Sequence, residues 1–322
     1  MDERMTSAQA WARLKAETDF DYAMHHAMQP DPVPTGIAPL DAKLGGGLPV
    51  GTFTVIAGEA GCGKSALACC TQYNAGILGK MPVFFSMEMP AHMVISRLLS
   101  VHTSKVRESQ AARGVPDDEL MRQVWWSTTH NVVRNIAGHA ITDTYEATAY
   151  VANNLFADPV LAAWDDFERH VWRLMAVDDK VSTVSQAIEV VDGLCKAGIR
   201  PLVILDYLQL GADTDGDGSE YERVTKASGQ LASCVKRWQI PAMVISSMRN
   251  VGREERKDAP TLSMLRSSGR IGFDAGTVVI LKKAGERDGS MQPIEAHIVK
   301  NRVGPSGDFV PLLFNGGANQ FM

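Results

Sequence analysis

Short apolar runs alternate with longer amphipathic stretches along most of this chain. From residue 35 onward, strand-like apolar runs lie at 52–57, 82–87, 173–177, 202–207, 242–246, 277–281, 296–299 and 309–314. Most of the spacers are long enough for the helical crossovers that connect parallel strands. The pattern therefore predicts an α/β fold with a mostly parallel sheet and helices on both faces. The last two runs are separated only by a short Gly- and Pro-containing segment, and they predict a C-terminal antiparallel hairpin instead.

The ends of this pattern and its longest gap predict the domain organisation. Residues 6–28 have a helical pattern that the Pro-rich segment 29–34 breaks, so residues 1–34 are predicted to form an N-terminal helical arm and a linker. We expect the arm to pack on its own domain or on a neighbouring subunit. Residues 35–322 are then one domain, with a helical insertion at about 105–170.

Composition limits the classes of protein to be considered. The chain has 322 residues, 45% of them hydrophobic and 21% charged, which suits one large α/β domain. A net charge of −5 argues against a surface that is basic all over, so any nucleic acid must bind in a local patch or channel. There is no long uncharged apolar stretch and no secretory signal pattern, so we expect a cytoplasmic protein without a membrane partner. The five cysteines include no C-x-x-C pair, which indicates neither a zinc site nor a disulfide framework.

A complete phosphate-binding loop follows the first apolar run. The pattern G-x-x-x-x-G-K-[ST] is formed by Gly58, Glu59, Ala60, Gly61, Cys62, Gly63, Lys64 and Ser65. A strand before the loop and a helix predicted over 64–79 make an ordinary Gly-rich turn a much weaker explanation. In such loops backbone N–H groups and the helix N-terminus bind phosphate. Lys64 is expected to reach the β- and γ-phosphates of a triphosphate, and the Ser65 hydroxyl to be a Mg²⁺ ligand.

The position of Cys62 in this loop suggests a reactive thiol. A cysteine beside a helix N-terminus and a lysine often has a lowered pKa. We therefore expect Cys62 to react with alkylating agents and to be protected by ATP.

Polar residues at the ends of other predicted strands supply the remaining candidate groups. Glu88 follows the second run, and Asp206 ends the run at 202–207. Strand ends of this kind meet at the ligand-binding edge of a doubly wound sheet. Glu88 can activate the attacking water or be a solvated strand-end carboxylate, whereas a buried Asp206 favours a Mg²⁺ ligand. Ser246 and Ser247 end the next run and can sense the γ-phosphate or cap the following segment.

A series of segments resembles, in order, the motifs of the C-terminal domain of DnaB-type replicative helicases. The segments are 35–48, the phosphate loop, 85–90, 205–210, 265–269 and 299–307, and the resemblance covers roughly residues 35–314. Residues 35–48 alone fit RadA or KaiC relatives of RecA equally well. The sequences Asp-Tyr-Leu-Gln-Leu at 206–210 and Lys-Asn-Arg-Val-Gly-Pro-Ser-Gly at 300–307 are far more specific to DnaB.

The resemblance implies a fold and an assembly. The fold is a RecA-like P-loop NTPase core, and the assembly is a ring-shaped homohexamer that binds ATP and Mg²⁺ between subunits while it translocates on single-stranded DNA. Lys300 and Arg302 match the family's basic pair, which reaches the γ-phosphate bound by the next subunit. Arg266, Ser267 and Gly269 fall in the loop that tracks the DNA backbone.

The chain departs from the family pattern at three places. Ser247 stands where the family usually has a Gln as γ-phosphate sensor, followed by Met248-Arg249-Asn250 in place of Leu-Asn-Arg, and Ser267 stands in place of a usual Glu. The span from Glu88 to Asp206 is longer than the family norm. Only about 34 residues precede the domain, so we expect no N-terminal helical domain, which points to a phage, plasmid or other mobile element.

The sequence leaves three functions open and identifies neither a loader nor a primase. The leading interpretation is an ATP-dependent hexameric helicase that unwinds duplex DNA in replication. The second is a RadA- or KaiC-like ATPase that does not unwind DNA. The third is a helicase-derived adaptor that binds nucleotide but scarcely hydrolyses it, and Ser247 is the residue that favours it.

Overall fold

The computed structural model describes residues 31–112, 166–212, 219–249, 259–266 and 268–322, together with Ala8 and Ala12, which are helical. The rest of the predicted N-terminal arm lies outside the described residues. So do residues 113–165, which include most of the predicted insertion, and also 213–218, 250–258 and Ser267.

The described strands form one sheet of nine strands. They are β1 (Phe53–Gly58), β2 (Val83–Ser86), β3 (Ala176–Asp178), β4 (Val203–Asp206), β5 (Ala242–Ser246), β6 (Thr277–Lys283), β7 (Met291–Asn301), β8 (Phe309–Asn315) and β9 (Gln320–Phe321). Their order in the sheet is β3-β2-β4-β5-β1-β6-β7-β8-β9. The pairs from β3 to β6 are parallel, whereas β6–β7, β7–β8 and β8–β9 are antiparallel. The predicted fold class, a mostly parallel sheet with a C-terminal antiparallel hairpin, is confirmed.

Two strands start at other residues than the sequence predicts, and one further strand was not predicted. The run predicted at 173–177 starts as a 3₁₀ helix over Trp172–Leu174, and β3 begins only at Ala176. Strand β7 begins at Met291 rather than at residue 296, because its alternating buried and half-buried positions cover only one face with apolar side chains. The short β9 pairs with the end of β8 and was not predicted.

Helices cover both faces of the sheet. They are α1 (Ala38–Lys43), α2 (Lys64–Ile77), α3 (Ala91–Ala112), α4 (Val184–Lys196), α5 (Glu220–Trp238) and α6 (Ser268–Asp274). Capping boxes start α4 at Thr183 and α5 at Ser219, so each sequence specifies its own helix start. A π-helical turn over Phe167–Val171 leads the chain back into the sheet.

Alternate residues of the central strands pack into two separate core layers. In β1, Phe53, Val55 and Ala57 pack with residues of α4, α5 and α6. Ile56 points the other way, into the layer that contains residues of α2 and α3. All six residues of β1 are buried. The continuous apolar run at this position follows from burial on both faces.

The segment before β1 is bonded to α2, the helix that follows the phosphate loop. The Asp41 carboxylate accepts hydrogen bonds from the Thr35 N–H (2.7 Å), the Thr35 hydroxyl (2.7 Å) and the Gly36 N–H (3.1 Å). The Asn74 side-chain amide of α2 donates to the Pro34 carbonyl at 3.0 Å. Val33 pairs with Leu48 in an isolated antiparallel bridge. The backbone at Val33 and Pro34 is therefore packed against the domain.

Candidate nucleotide-binding site

The phosphate loop connects the central strand β1 directly to α2. Gly63, the residue before the helix, has φ of 91°. A Cβ at this position would lie 2.7 Å from the Phe321 ring, so both the backbone and the space around it require glycine. The Lys64 ammonium donates to the carbonyls of Gly58 and Glu59, each at 3.0 Å. The Lys64 side chain thus folds back over the phosphate loop.

Carboxyl ends of neighbouring strands surround the loop, and the space between them is a cavity of about 1060 Å³. Most of the residues predicted from the sequence line this cavity: Gly58, Glu59, Ala60, Gly61, Gly63, Lys64, Ser65, Glu88, Asp206 and Ser247. Cys62 and Ser246 are buried beside it but do not line it. The arrangement is that expected for a doubly wound sheet, in which ligands bind outside the carboxyl ends of the strands.

Asp206, the last residue of β4, is the most strongly buried acid of the cavity. Its relative exposure is 0%, and neither carboxylate oxygen has a hydrogen-bond partner of normal geometry among the described residues. Burial raises the pKa of this carboxyl, and the neighbouring Ser65 hydroxyl partly offsets the effect. Two buried, unpaired oxygens beside a hydroxyl form a donor set that suits a hard divalent cation.

Basic residues that the sequence did not assign to the site also line the cavity. Arg97 reaches it from α3, and its charge opposes the effect of burial on the pKa of Asp206. The Lys283 ammonium, from the end of β6, donates to the Ala60 carbonyl at 3.0 Å. Arg249 comes from the segment after β5, and Arg287 from the segment before β7. The helical spacing in the sequence could have identified Arg97. It lies three residues after Val94, a buried residue, on the helix that begins just after Glu88, so the two residues share one face of that helix.

The structure contradicts the expectation of a reactive Cys62. Its side chain is fully buried, and burial raises the pKa of the thiol. The charge of Lys64 acts in the opposite direction but is the smaller effect. The sequence showed the helix N-terminus and the lysine, but the burial of the thiol in the core layer that also contains Leu281 is a tertiary property.

The two serines at the end of β5 differ in their surroundings. The Ser246 hydroxyl accepts a hydrogen bond from the Gln209 amide at 2.8 Å, and the Ser247 N–H donates to the Gln209 side-chain oxygen at 3.2 Å. The Ser247 hydroxyl is buried and has no hydrogen-bond partner among the described residues. Gln209 also donates to the Arg266 carbonyl at 3.3 Å, so it joins β5 to the predicted DNA loop. In the sequence, Gln209 stood out only as part of the motif at 206–210.

The predicted DNA-binding residues lie at one end of α6, next to α5. The Arg266 guanidinium forms an ion pair with Glu220 at 2.7 Å. A Cβ on Gly269 would lie 2.9 Å from the Tyr221 hydroxyl, so this glycine allows α6 to approach α5 closely. Ser267 lies outside the described residues.

Lys300 and Arg302 do not line the cavity of their own chain. The Lys300 ammonium donates to the carbonyls of Gly272 (2.7 Å) and Phe273 (2.9 Å), and Arg302 donates to the same Phe273 carbonyl at 2.8 Å. Both side chains therefore reach the end of α6, because residues two apart in an extended segment point to the same side. Partial burial and the neighbouring Arg302 charge lower the pKa of Lys300.

Solved structures with similar folds identify the fold. A DnaB-like replicative helicase, solved with its interactions with primase, gives a TM-score of 0.66 at 20% identity and covers 99% of this chain and 67% of that one. A separate ATPase domain gives 0.65 at 20% identity and covers 99% of both chains. A KaiC-like protein from Pyrococcus horikoshii gives 0.53 at 16% identity and covers 90% and 97%. The fold and its phosphate loop are those of a RecA-like P-loop protein.

Sequence comparison then gives the family. The model of the DnaB-like helicase C terminal domain matches residues 32–151 and 163–322, and the chain belongs to this family. The replicative DNA helicase DnaB of Leifsonia xyli subsp. xyli is 30% identical over 295 residues, which are 90% of this chain and 55% of that protein. DnaB of Treponema pallidum is 27% identical over 291 residues, 90% of this chain and 56% of that protein. The probable plasmid replicative DNA helicase of Chlamydia muridarum is 25% identical over 254 residues, 79% and 47% respectively. The chain spans about half the length of these curated relatives.

None of the described helices combines the length and the hydrophobicity that a membrane span requires.

Proposed function

We propose that this chain is the ATP-hydrolysing motor of a hexameric helicase that moves on single-stranded DNA and unwinds the duplex. Family membership supports this function, and one structural observation carries it. Lys64, Ser65, Glu88 and Asp206 meet at one cavity, whereas Lys300 and Arg302 bond to the end of α6 and do not line that cavity. Such a site is completed when a neighbouring subunit supplies its own basic pair.

The residues of the cavity fit ATP with Mg²⁺. The unpaired oxygens of Asp206 and the Ser65 hydroxyl are the groups that would hold the cation, directly or through its waters. When bound, Mg²⁺ neutralises charge on the phosphates. The loop N–H groups and the start of α2 hold the phosphate oxygens. Lys64 exchanges the carbonyls of Gly58 and Glu59, two residues that line the cavity, for phosphate.

Glu88 is the group that we assign to the attacking water. Its side chain is exposed at the cavity, just beyond the end of β2. A carboxylate in this position can orient a water and accept its proton. Arg302 of the adjacent subunit stabilises the charge that develops on the transferred phosphoryl group.

The experiment compares wild type with Glu88→Gln. ATP hydrolysis is measured with and without single-stranded DNA, and unwinding is measured on a forked duplex. Wild type should show DNA-stimulated hydrolysis and unwinding, and Glu88→Gln should lose both by about a hundredfold or more. Glu189→Gln, which removes an exposed carboxylate from α4, is the matched control and should behave as wild type.

Other outcomes favour the other functions. Hydrolysis by wild type without unwinding supports the RadA- or KaiC-like ATPase. Nucleotide binding without hydrolysis supports the adaptor, which is favoured by a Ser247 hydroxyl without a partner in the described part of the chain. Either result contradicts the helicase motor.

A further inference from the structure

The segment after β5 places a short side chain, Ser247, and a long basic one, Arg249, at the nucleotide cavity. Ser247 and Arg249 both line the nucleotide cavity. The Ser247 hydroxyl is buried and offers a reach of one side-chain bond beyond Cβ, whereas Arg249 is exposed and carries a long, permanently charged side chain. A guanidinium is the better group for a phosphate, because it presents several donors in a planar fork.

Hydrogen bonds to the turn over Leu262–Met264 hold Arg249 at the cavity wall. Its N–H donates to the Met264 carbonyl at 2.9 Å, and its Nε donates to the Ser263 carbonyl at 2.9 Å. A bond from Nε fixes the plane of the guanidinium. An arginine that is fixed in this way loses less conformational entropy when its terminal nitrogens contact a phosphate.

We propose that Arg249 contacts the terminal phosphate of the nucleotide bound by its own subunit, and so distinguishes a nucleoside triphosphate from a diphosphate. The proposal rests on the function proposed above and deepens it. Arg249 takes the role that a longer polar side chain at position 247 would otherwise have. The Arg302 of a neighbouring subunit acts on the same phosphate from across the boundary.

The contacts of Arg249 lead towards the predicted DNA loop. Ser263 and Met264 belong to the short turn that precedes Arg266. The Arg266 N–H donates to the Ser247 carbonyl at 3.0 Å, and Gln209 bonds to both sides of this junction. A movement of Arg249 on loss of the terminal phosphate therefore acts directly on the backbone that carries Arg266. Arg249 is thus also a coupling residue between the nucleotide and the DNA.

The test measures the affinity of the full chain for ADP and for a non-hydrolysable ATP analogue, both with Mg²⁺, by isothermal titration calorimetry. Arg249→Ala should weaken the triphosphate about ten- to a hundredfold, the value of one charge-assisted hydrogen bond. The affinity for ADP should change by less than about threefold, because only the terminal phosphate loses its contact. Arg249→Lys keeps the charge but not the Nε bond, and should lie between wild type and Arg249→Ala.

The control variant is Arg287→Ala. Arg287 also lines the cavity, but it bonds to the Gly289 carbonyl at 2.9 Å in the segment before β7. Its removal should affect ADP and the triphosphate analogue to the same degree. A second measurement tests the coupling between nucleotide and DNA. Arg249→Ala should lower the stimulation of hydrolysis by single-stranded DNA more than Arg287→Ala does.

The outcome that overturns the inference is a folded Arg249→Ala protein, with a wild-type melting temperature, that prefers the triphosphate to ADP as strongly as wild type does. If Arg249→Ala does not fold, the same result for Arg249→Lys overturns it. Failure of the proposed function looks different, because wild type itself would then show no unwinding while its preference for the triphosphate could still be compared between variants.

Discussion

At the scale of single residues, the cavity contains groups that oppose the stability of the ligand-free protein. Asp206 is the clearest example, because both carboxylate oxygens are buried without a partner of normal geometry in the described structure. Leaving such a group unpaired costs about 1–3 kcal/mol. A residue that lowers stability at a ligand site is expected where function requires it.

Asp206→Asn should therefore stabilise the ligand-free protein while it abolishes Mg²⁺-dependent hydrolysis. The uncharged amide avoids the cost of burying a carboxylate, and we expect a gain of about 1–3 kcal/mol at neutral pH. Chemical denaturation measures the free energy of unfolding, and a hydrolysis assay measures activity. A variant less stable than wild type would contradict this account of the carboxylate.

The gain in the free energy of unfolding from Asp206→Asn should also depend on pH. Burial raises the pKa of Asp206 above its ordinary value of 3.8, so the folded state binds a proton more tightly than the unfolded state does. Stability of the wild type then falls as pH rises through the range between the two pKa values. The difference between variant and wild type should be smallest below about pH 4 and larger at neutral pH. A difference that is independent of pH would exclude the titration of Asp206 as its cause.

Cys62 should resist alkylation in the native protein. Its thiol is fully buried and burial raises its pKa, so little thiolate is present at neutral pH. Iodoacetamide labelling with mass spectrometry should find Cys62 unmodified in the native protein and modified after denaturation. Rapid native labelling that ATP suppresses would restore the expectation drawn from the sequence.

At the scale of elements, the end of β5 joins the nucleotide cavity to the loop that is predicted to bind DNA. The Gln209 side chain bonds to Ser246, Ser247 and Arg266, and the Arg266 N–H bonds back to Ser247. Arg266 is also paired with Glu220 at the start of α5. A DNA phosphate must compete with this carboxylate for the guanidinium.

Glu220→Gln should consequently increase the affinity for single-stranded DNA. The exposed ion pair contributes about 0–1 kcal/mol, so the expected gain is at most about fivefold at low salt. Arg266→Ala should weaken binding and lower the slope of log affinity against log salt by about one. Fluorescence anisotropy at several salt concentrations measures both quantities. Glu189→Gln removes the same charge from α4 and should leave affinity unchanged, so an equal gain in this control would assign the effect to net charge alone.

At the scale of the whole molecule, the cavity and the basic pair are separate surfaces of one chain. Lys300 and Arg302 occupy the carbonyls at the end of α6 and do not line their own cavity. Each chain therefore carries both parts, a cavity and a basic pair, of a site that two subunits would share. A closed ring of identical subunits brings every cavity against a basic pair.

Mixing two inactive variants should restore part of the hydrolysis. Lys64→Ala disables the phosphate loop and Arg302→Ala removes the arginine, so each protein alone should be inactive. In rings that mix equally and at random, about a quarter of the boundaries combine an intact loop with an intact Arg302. Hydrolysis measured across a range of mixing ratios should peak near equal amounts. Absence of recovery at every ratio, with mixed rings shown by native mass spectrometry, would contradict the shared site.

The central sheet and the phosphate loop could be predicted without the structure, because both depend on local patterns. Strands buried on both faces must be continuous apolar runs, and a loop that turns around phosphate needs glycine at fixed positions, as at Gly63. The start of β3 was misplaced because Arg173 and Leu174, the first residues of the predicted run, belong to a 3₁₀ helix.

The charged groups that meet at the cavity, and the groups that are buried away from it, depend on contacts between distant parts of the chain. Lys283, Arg249 and Arg287 come from three different parts of the chain, and no short spacing connects them to the loop. Burial raises the pKa of Cys62, and the core layer that buries it also contains Val279 and Leu281 of β6, which are distant in sequence. Local patterns specify backbone geometry, whereas charge, burial and reactivity depend on neighbours that only the folded chain brings together.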